Sequence, residues 1–206
     1  MSKTRKNTKN ASMPSVYNMD HYNSNDGMLT TVWGPGMWHY LHTISFNYPV
    51  HPTRQDKYHY RDFILSLKYT LPCGKCRTNL EQNFKKLPLR MKHMKNRATF
   101  SRYIYDLHEL INTMLGKTSG LTYDVIRDRY EHFRARCTAS LQRKTAKKRG
   151  SISSRAKTEN GCTDPLYGEK SKCVIHIVPD TGSIDSMLID KKCIKKRLTD
   201  DSVNSS

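Results

Sequence analysis

The stretch Pro72-Cys73-Gly74-Lys75-Cys76-Arg77-Thr78-Asn79-Leu80-Glu81-Gln82-Asn83-Phe84 decides how this chain is read. Cys73, Cys76, Leu80 and Phe84 recur at three- and four-residue steps. That spacing predicts one face of a helix, with the dithiol in its first turn. Unpaired N–H groups and the helix dipole there favour a thiolate over a thiol, and Lys75 and Arg77 push the same way. A thiolate is the nucleophile of disulfide exchange, and its neighbour can close the ring. A thioredoxin-like exchanger would place its C-x-x-C after a strand. The segment upstream of Cys73 reads as helix instead. A structural pair, or half of a metal site, is the other reading of two cysteines so spaced.

The helical pattern extends outward on both sides. Upstream, Tyr60, Phe63, Ile64 and Leu67 predict a helix. Before it, Trp33, Met37, Tyr40, Leu41, Ile44 and Tyr48 predict another, stopped by Pro49, with Gly34, Pro35 and Gly36 in its opening turn. Downstream, Pro88 ends the dithiol helix. Phe100, Tyr103, Ile104, Leu107, Ile111, Met114 and Leu115 make the strongest amphipathic stripe, and Gly116 is placed to cap it. A shorter fifth helix is predicted from about Thr122 through Val125, Ile126, Tyr130 and Phe133. The fold class is therefore all-α, a compact bundle with short loops.

The flanks differ. Residues 1–29 are polar and basic and predict a disordered arm. Residues 137–206 predict a basic, largely disordered tail with a short β-hairpin at 173–189, where Cys173 to Val178 is β-branched. The domain between them spans 30–136. The formal charge is +18, spread as +4 over the first 12 residues, +8 over the middle and +6 over the last 70. Its one dense cluster, Arg143 to Arg149, reads as a solvated linker, so nucleic acid is not an expected partner. No apolar run suits a membrane span and no secretory signal is present, so membrane insertion is not expected.

Six cysteines stand at 73, 76, 137, 162, 173 and 193, and only the first two are close. Zinc sites usually need two such pairs, so no metal is expected. Cys137 and Cys193 read as free, and a Cys162–Cys173 bond is sterically possible. An all-helical chain with one redox pair needs another electron acceptor, and a flavin suits the aromatic and histidine content of the other helices.

Three linked motifs then resemble a known family. Trp33-Gly34 through Trp38, Leu41-His42 and Tyr48-Pro49 resemble the opening of the Erv/ALR FAD-linked sulfhydryl oxidases. Pro72-Cys73-Gly74-Lys75-Cys76 sits where that family has its redox pair. Leu107-His108, Asn112 and Leu115-Gly116-Lys117 resemble its next segment. The likeness is closest to versions carried by large cytoplasmic DNA viruses.

The resemblance implies a four-helix bundle with a short fifth helix, FAD at one end, and a homodimer. It implies that Cys73 and Cys76 oxidise protein dithiol substrates. Cys76, the cysteine nearer the flavin, passes electrons on, and molecular oxygen is reduced to hydrogen peroxide. Trp38, His42, Tyr48, His108, Asn112 and Lys117 are the implied FAD contacts. In a virus the expected setting is the host cytoplasm or the virion, with virion proteins as substrates. Two departures stand out. Glu109 replaces the family's usual Asn after the His. Tyr105 and about Thr122 occupy the positions of a structural disulfide found in many members, which leaves packing to hold the last two helices together. The competing readings are a non-catalytic basic binding module and a zinc-binding helical domain using His42 and His108.

Overall fold

The computed structural model describes residues 18–135, 162, 165–178 and 188–193. Its helices are α1 (Met19–Tyr22), α2 (Thr30–Asn47), α3 (Arg54–Thr70), α4 (Gly74–Lys86), α5 (Arg97–Met114) and α6 (Tyr123–Glu131), with 3-10 turns at Met91–Met94 and Lys191–Cys193. Among the described residues no β-strand is present; one isolated bridge joins Ala135 to Pro165. The chain is all-α: α2 packs on α5, α3 on α4, and α6 lies against α2. No described helix is long and apolar enough to cross a membrane.

Local chemistry sets the helix ends. Thr53 and Asp56 form a capping box, with Thr53 Oγ1 accepting from Asp56 N at 3.1 Å and the Asp56 carboxylate accepting from Thr53 N at 2.8 Å. It starts α3 six residues before the apolar stripe used to predict that helix. Helix α2 also starts earlier than its motif suggests, so Pro35 lies inside it rather than in its first turn. The start is fixed by Trp33, whose Nε1 donates to Met28 O at 3.1 Å. Gly116, at φ +66°, ends α5, and Lys117 N bonds back to Asn112 O at 2.8 Å. Only glycine adopts that conformation without strain.

The core is built from Ile64, Met94, Phe100 and Ile104, all fully buried, with Leu41, Leu67, Leu80, Tyr103 and Leu107 around them. Each such side chain contributes about 1.5–3 kcal/mol by leaving water. The C-terminal end of α2 has no basic residue in its last turn, so its free carbonyls are met from elsewhere. Arg97 Nε donates to Tyr48 O at 2.6 Å and Arg134 Nη2 donates to Phe46 O at 3.0 Å. Arg134 is itself held by Glu131 at 2.8 Å. These cations suit the negative end of the helix dipole and fix α2 lengthwise.

Between α5 and α6 the expectation of packing alone needs a correction. Tyr105 Oη donates to Leu121 O at 2.8 Å, and its ring meets Tyr123 edge-on at 5.8 Å. Tyr105→Phe keeps the ring and removes the bond. It should lower stability by about 1 kcal/mol in a urea titration, with no change in helical content.

The flanks depart from expectation in detail. Residues 18–29, read as part of a disordered arm, include the helical turn α1 and a backbone bond from Met28 N to Pro72 O at 2.8 Å. Residues 173–178 carry no strand. Residues 179–187 of the predicted hairpin, Cys137 and the Arg143–Arg149 cluster lie outside the described residues. Cys173 and Cys193 are free thiols, so the possible Cys162–Cys173 bond is not formed; Cys162 is disulfide-bonded otherwise.

Candidate functional site

The dithiol sits where the sequence places it. Cys73 is the N-cap of α4, and its Sγ accepts a hydrogen bond from Cys76 N at 3.2 Å. Cys73 and Cys76 are joined as a disulfide, with Cα atoms 5.2 Å apart. Both are partly exposed. The first turn of α4 contains no acid. Arg77 folds back over that turn, its Nη1 donating to Leu71 O at 2.6 Å. Positive charge and a helix N-terminus thus surround the sulfurs, the setting that stabilises a thiolate.

A second cluster forms between α2 and α5. Trp38 and His42 lie one helical turn apart on α2 and meet His108 of α5, with His39 beside them on the helix. The Trp38 ring stacks on His108 with centroids 3.8 Å apart and planes 8° from parallel. His42 Nε2 and His108 Nδ1 are hydrogen-bonded at 3.0 Å. His39 Nδ1 bonds Tyr130 Oη at 3.1 Å, and Tyr130 also approaches His42 at 5.3 Å. His39 and Tyr130 were not singled out from the sequence as site residues. The signal was there: 38, 39 and 42 share one helix face.

Burial keeps these rings neutral. His42 is pushed down to about 3, by burial first and then by His108 and His39. His108 is pushed down to about 4 by burial, against a small upward pull from Glu109. A histidine whose folded value lies below its unfolded one loses stability as pH falls. Above about 6.5 neither state is protonated. Below that the unfolded chain binds protons that the folded one refuses. Stability should therefore drop between pH 7 and pH 5 by on the order of 2 kcal/mol for each ring. Urea titrations at the two pH values read this. A His42→Gln, His108→Gln double variant should flatten most of the pH slope.

The other expected residues divide. Asn112, one turn beyond His108, donates from Nδ2 to Glu109 Oε1 at 3.0 Å. Glu109 thus orients its neighbour. Lys117 is exposed just past the end of α5. Tyr48 stands apart. It is fully buried at the far end of α2, its hydroxyl donates to Met94 O at 3.0 Å, and its ring packs on Tyr60 and Phe100.

His42 Nδ1 is a buried polar atom with no hydrogen-bond partner among the described residues. A buried polar group left unpaired is costly. Together with the flat Trp38 and His108 rings, it fits a planar group with a polar edge. Among the described residues no three His, Cys, Asp or Glu side chains converge as a metal site.

Residues 35–131 match the Erv1 / Alr family. A probable FAD-linked sulfhydryl oxidase of Acanthamoeba polyphaga mimivirus is 37% identical over 91 residues, which are 44% of this chain and 63% of that protein. The match thus spans less than two thirds of that relative's length. A putative FAD-linked sulfhydryl oxidase of Invertebrate iridescent virus 6 is 29% identical over 42% of this chain and 81% of its own. The crystal structure of the FAD binding domain of Erv1 from Saccharomyces cerevisiae superposes with a TM-score of 0.45 at 22% identity, covering 50% of this chain and 94% of that one.

Proposed function

We propose that this chain, whose residues 35–131 match the Erv1 / Alr family, is an FAD-dependent thiol oxidase that makes disulfides in substrate proteins. The observation that carries the proposal is that one domain holds both the Cys73–Cys76 disulfide at the N-terminus of α4 and a Trp38–His42–His108 cluster whose two histidines are kept neutral by burial. A dithiol alone has nowhere to send electrons, and the cluster suits a flavin.

The protein's part in the reaction follows from charge and geometry. A substrate thiolate attacks Cys73 Sγ, the Cys73–Cys76 bond breaks, and Cys76 leaves as a thiolate. The second substrate thiolate then attacks the mixed disulfide, releasing oxidised substrate and a Cys73 thiolate that takes up a proton. The α4 N-terminus, Lys75 and Arg77 lower the cost of both anions. Trp38, His42 and His108 hold and shield a planar ring system, and Asn112 and Lys117 supply polar contacts at its edge. Tyr48 supports the site through the core. Bound FAD would supply a two-electron acceptor for the reduced dithiol, with molecular oxygen as final acceptor and hydrogen peroxide as product.

The viral relatives support a virus-encoded role in the host cytoplasm or virion, acting on virion proteins. A homodimer is the assembly we propose. Val32, Tyr40 and Phe63 leave an exposed apolar face on α2 and α3 suited to a second copy. Light scattering on the purified chain should give twice the 24.0 kDa chain mass; a monomer at micromolar concentration would count against it.

The function is tested on the purified full chain. It should be yellow, and with a dithiol such as dithiothreitol it should consume oxygen. A colourless protein that takes up no FAD when supplied with it, and leaves thiols unoxidised, would refute the proposal.

A further inference from the structure

The sulfur of Cys76 has a neighbour that neither the dithiol motif nor the flavin cluster explains. Thr30, the first residue of α2, places Oγ1 3.5 Å from Cys76 Sγ, across 46 residues of sequence. A disulfide sulfur has no hydrogen, so the hydroxyl is the donor. The contact is built rather than incidental. The Thr30 methyl lies against Gly34, in ordinary van der Waals range of the place a Cβ would take there. The hydroxyl is therefore turned the other way, toward α4.

The approach to Thr30 is clamped on the other side. A β-carbon on Gly27 would come within 3.0 Å of Pro72 O and 3.1 Å of Cys73 Cα. The chain thus runs tightly over the residues that open α4. Met28 N donates to Pro72 O at 2.8 Å, and Met28 O accepts from Trp33 Nε1 at 3.1 Å. This strap ties the start of α2 to the residues that lead into α4 and sets Thr30 at their junction.

We propose that Thr30 is a positioning residue for thiol oxidation. Its hydroxyl donates to Cys76 Sγ and holds that sulfur as the thiolate released when the Cys73–Cys76 bond breaks. The inference rests on the oxidase reading above and adds to it a residue that sets the ease of the first step. The substrate thiolate forms a bond to Cys73 Sγ, and the electron pair of the broken S–S bond goes to Cys76. A hydrogen bond to a charged acceptor is worth more than one to a neutral acceptor. Thr30 therefore stabilises the reduced form more than the disulfide. The charged residues that flank Cys76 on α4 are Lys75 and Arg77, and the first turn of α4 carries no acid. The first turn of α2 carries no acid, so a Thr30 substitution leaves the local charge unchanged.

The test compares Thr30→Val, which keeps the shape and removes the donor, with Thr30→Ser, which keeps the donor. Alkylation of Cys76 by iodoacetamide is followed against pH in chemically reduced full-length protein carrying Cys73→Ser, with peptide mass mapping to identify Cys76. Thr30→Val should raise the alkylation midpoint by about one pH unit, a tenfold loss of thiolate at neutral pH. Thr30→Ser should stay with the parent. In the protein with both cysteines, the dithiol–disulfide equilibrium against glutathione should move about tenfold toward the disulfide in Thr30→Val, about 30 mV. An unchanged midpoint in Thr30→Val overturns the proposal, and so does a Thr30→Ser variant that shifts as far as Thr30→Val. Should Thr30→Val fail to fold, Thr30→Ala removes the same donor and is read the same way. Alkylation involves neither oxygen nor turnover. A parent protein that fails to oxidise dithiols would therefore show as a separate result.

Discussion

The Cys76→Ser variant is expected to stay yellow and to lose oxygen uptake with a dithiol substrate by at least about a thousandfold. The serine fits a site that is only partly buried and whose backbone N–H already bonds to Cys73 Sγ, so the fold and the flavin cluster remain. What disappears is the leaving group. Substrate can still form a mixed disulfide only if Cys73 is first oxidised, and without Cys76 there is no disulfide to attack. Cys73 should remain a free thiol carrying no substrate adduct, as read by intact mass. Oxygen uptake near the parent rate would remove the dithiol from the proposed route. Loss of colour together with loss of activity would show instead that Cys76 is needed to retain the cofactor.

Trp38→Ala is expected to have the second largest effect, on flavin retention. The ring is stacked on His108 at 3.8 Å and stands 6.2 Å from His42. Removing it deletes one flat wall and leaves the His108 face open to solvent. Truncating a large aromatic costs about 3–5 kcal/mol where it is well buried. Trp38 is only partly buried, so about 2 kcal/mol is the reasonable share for binding, a loss of roughly thirtyfold in affinity. Dialysis should strip FAD from Trp38→Ala and leave it in the parent and in Trp38→Phe. Circular dichroism would verify that the helices persist. Stoichiometric flavin in dialysed Trp38→Ala would refute the placement of the cofactor against this ring.

What the sequence reveals depends on whether the physics is local. The dithiol helix was legible because Cys73, Cys76, Leu80 and Phe84 recur at helical spacing; α4 holds the last three, and Cys73 is its N-cap rather than part of its first turn. The α5 stripe and its glycine cap were legible for the same reason. The early start of α3 was missed because an apolar stripe marks the buried middle of a helix, whereas a Thr53–Asp56 box marks its edge. Trp38, His42 and His108 meet in the fold, yet nothing in their spacing says that two of them form a hydrogen bond and two stack. Thr30 was invisible for a stronger reason. Its partner is 46 residues away, and the residues that aim it, Gly27, Met28 and Trp33, act through backbone approach and carbonyl bonds that leave no periodic trace.

The Tyr105–Leu121 bond has a consequence for how such a protein behaves toward reductants. Strong thiol reductants open the Cys73–Cys76 bond as part of the proposed work. A covalent sulfur bridge between α5 and α6 would be exposed to the same reagents, and catalysis and integrity would then be tied to one ambient redox poise. A phenol donating to a carbonyl does not respond to electrons. The junction of these two helices should keep its melting behaviour from fully oxidising to fully reducing buffer, while the dithiol at α4 cycles freely.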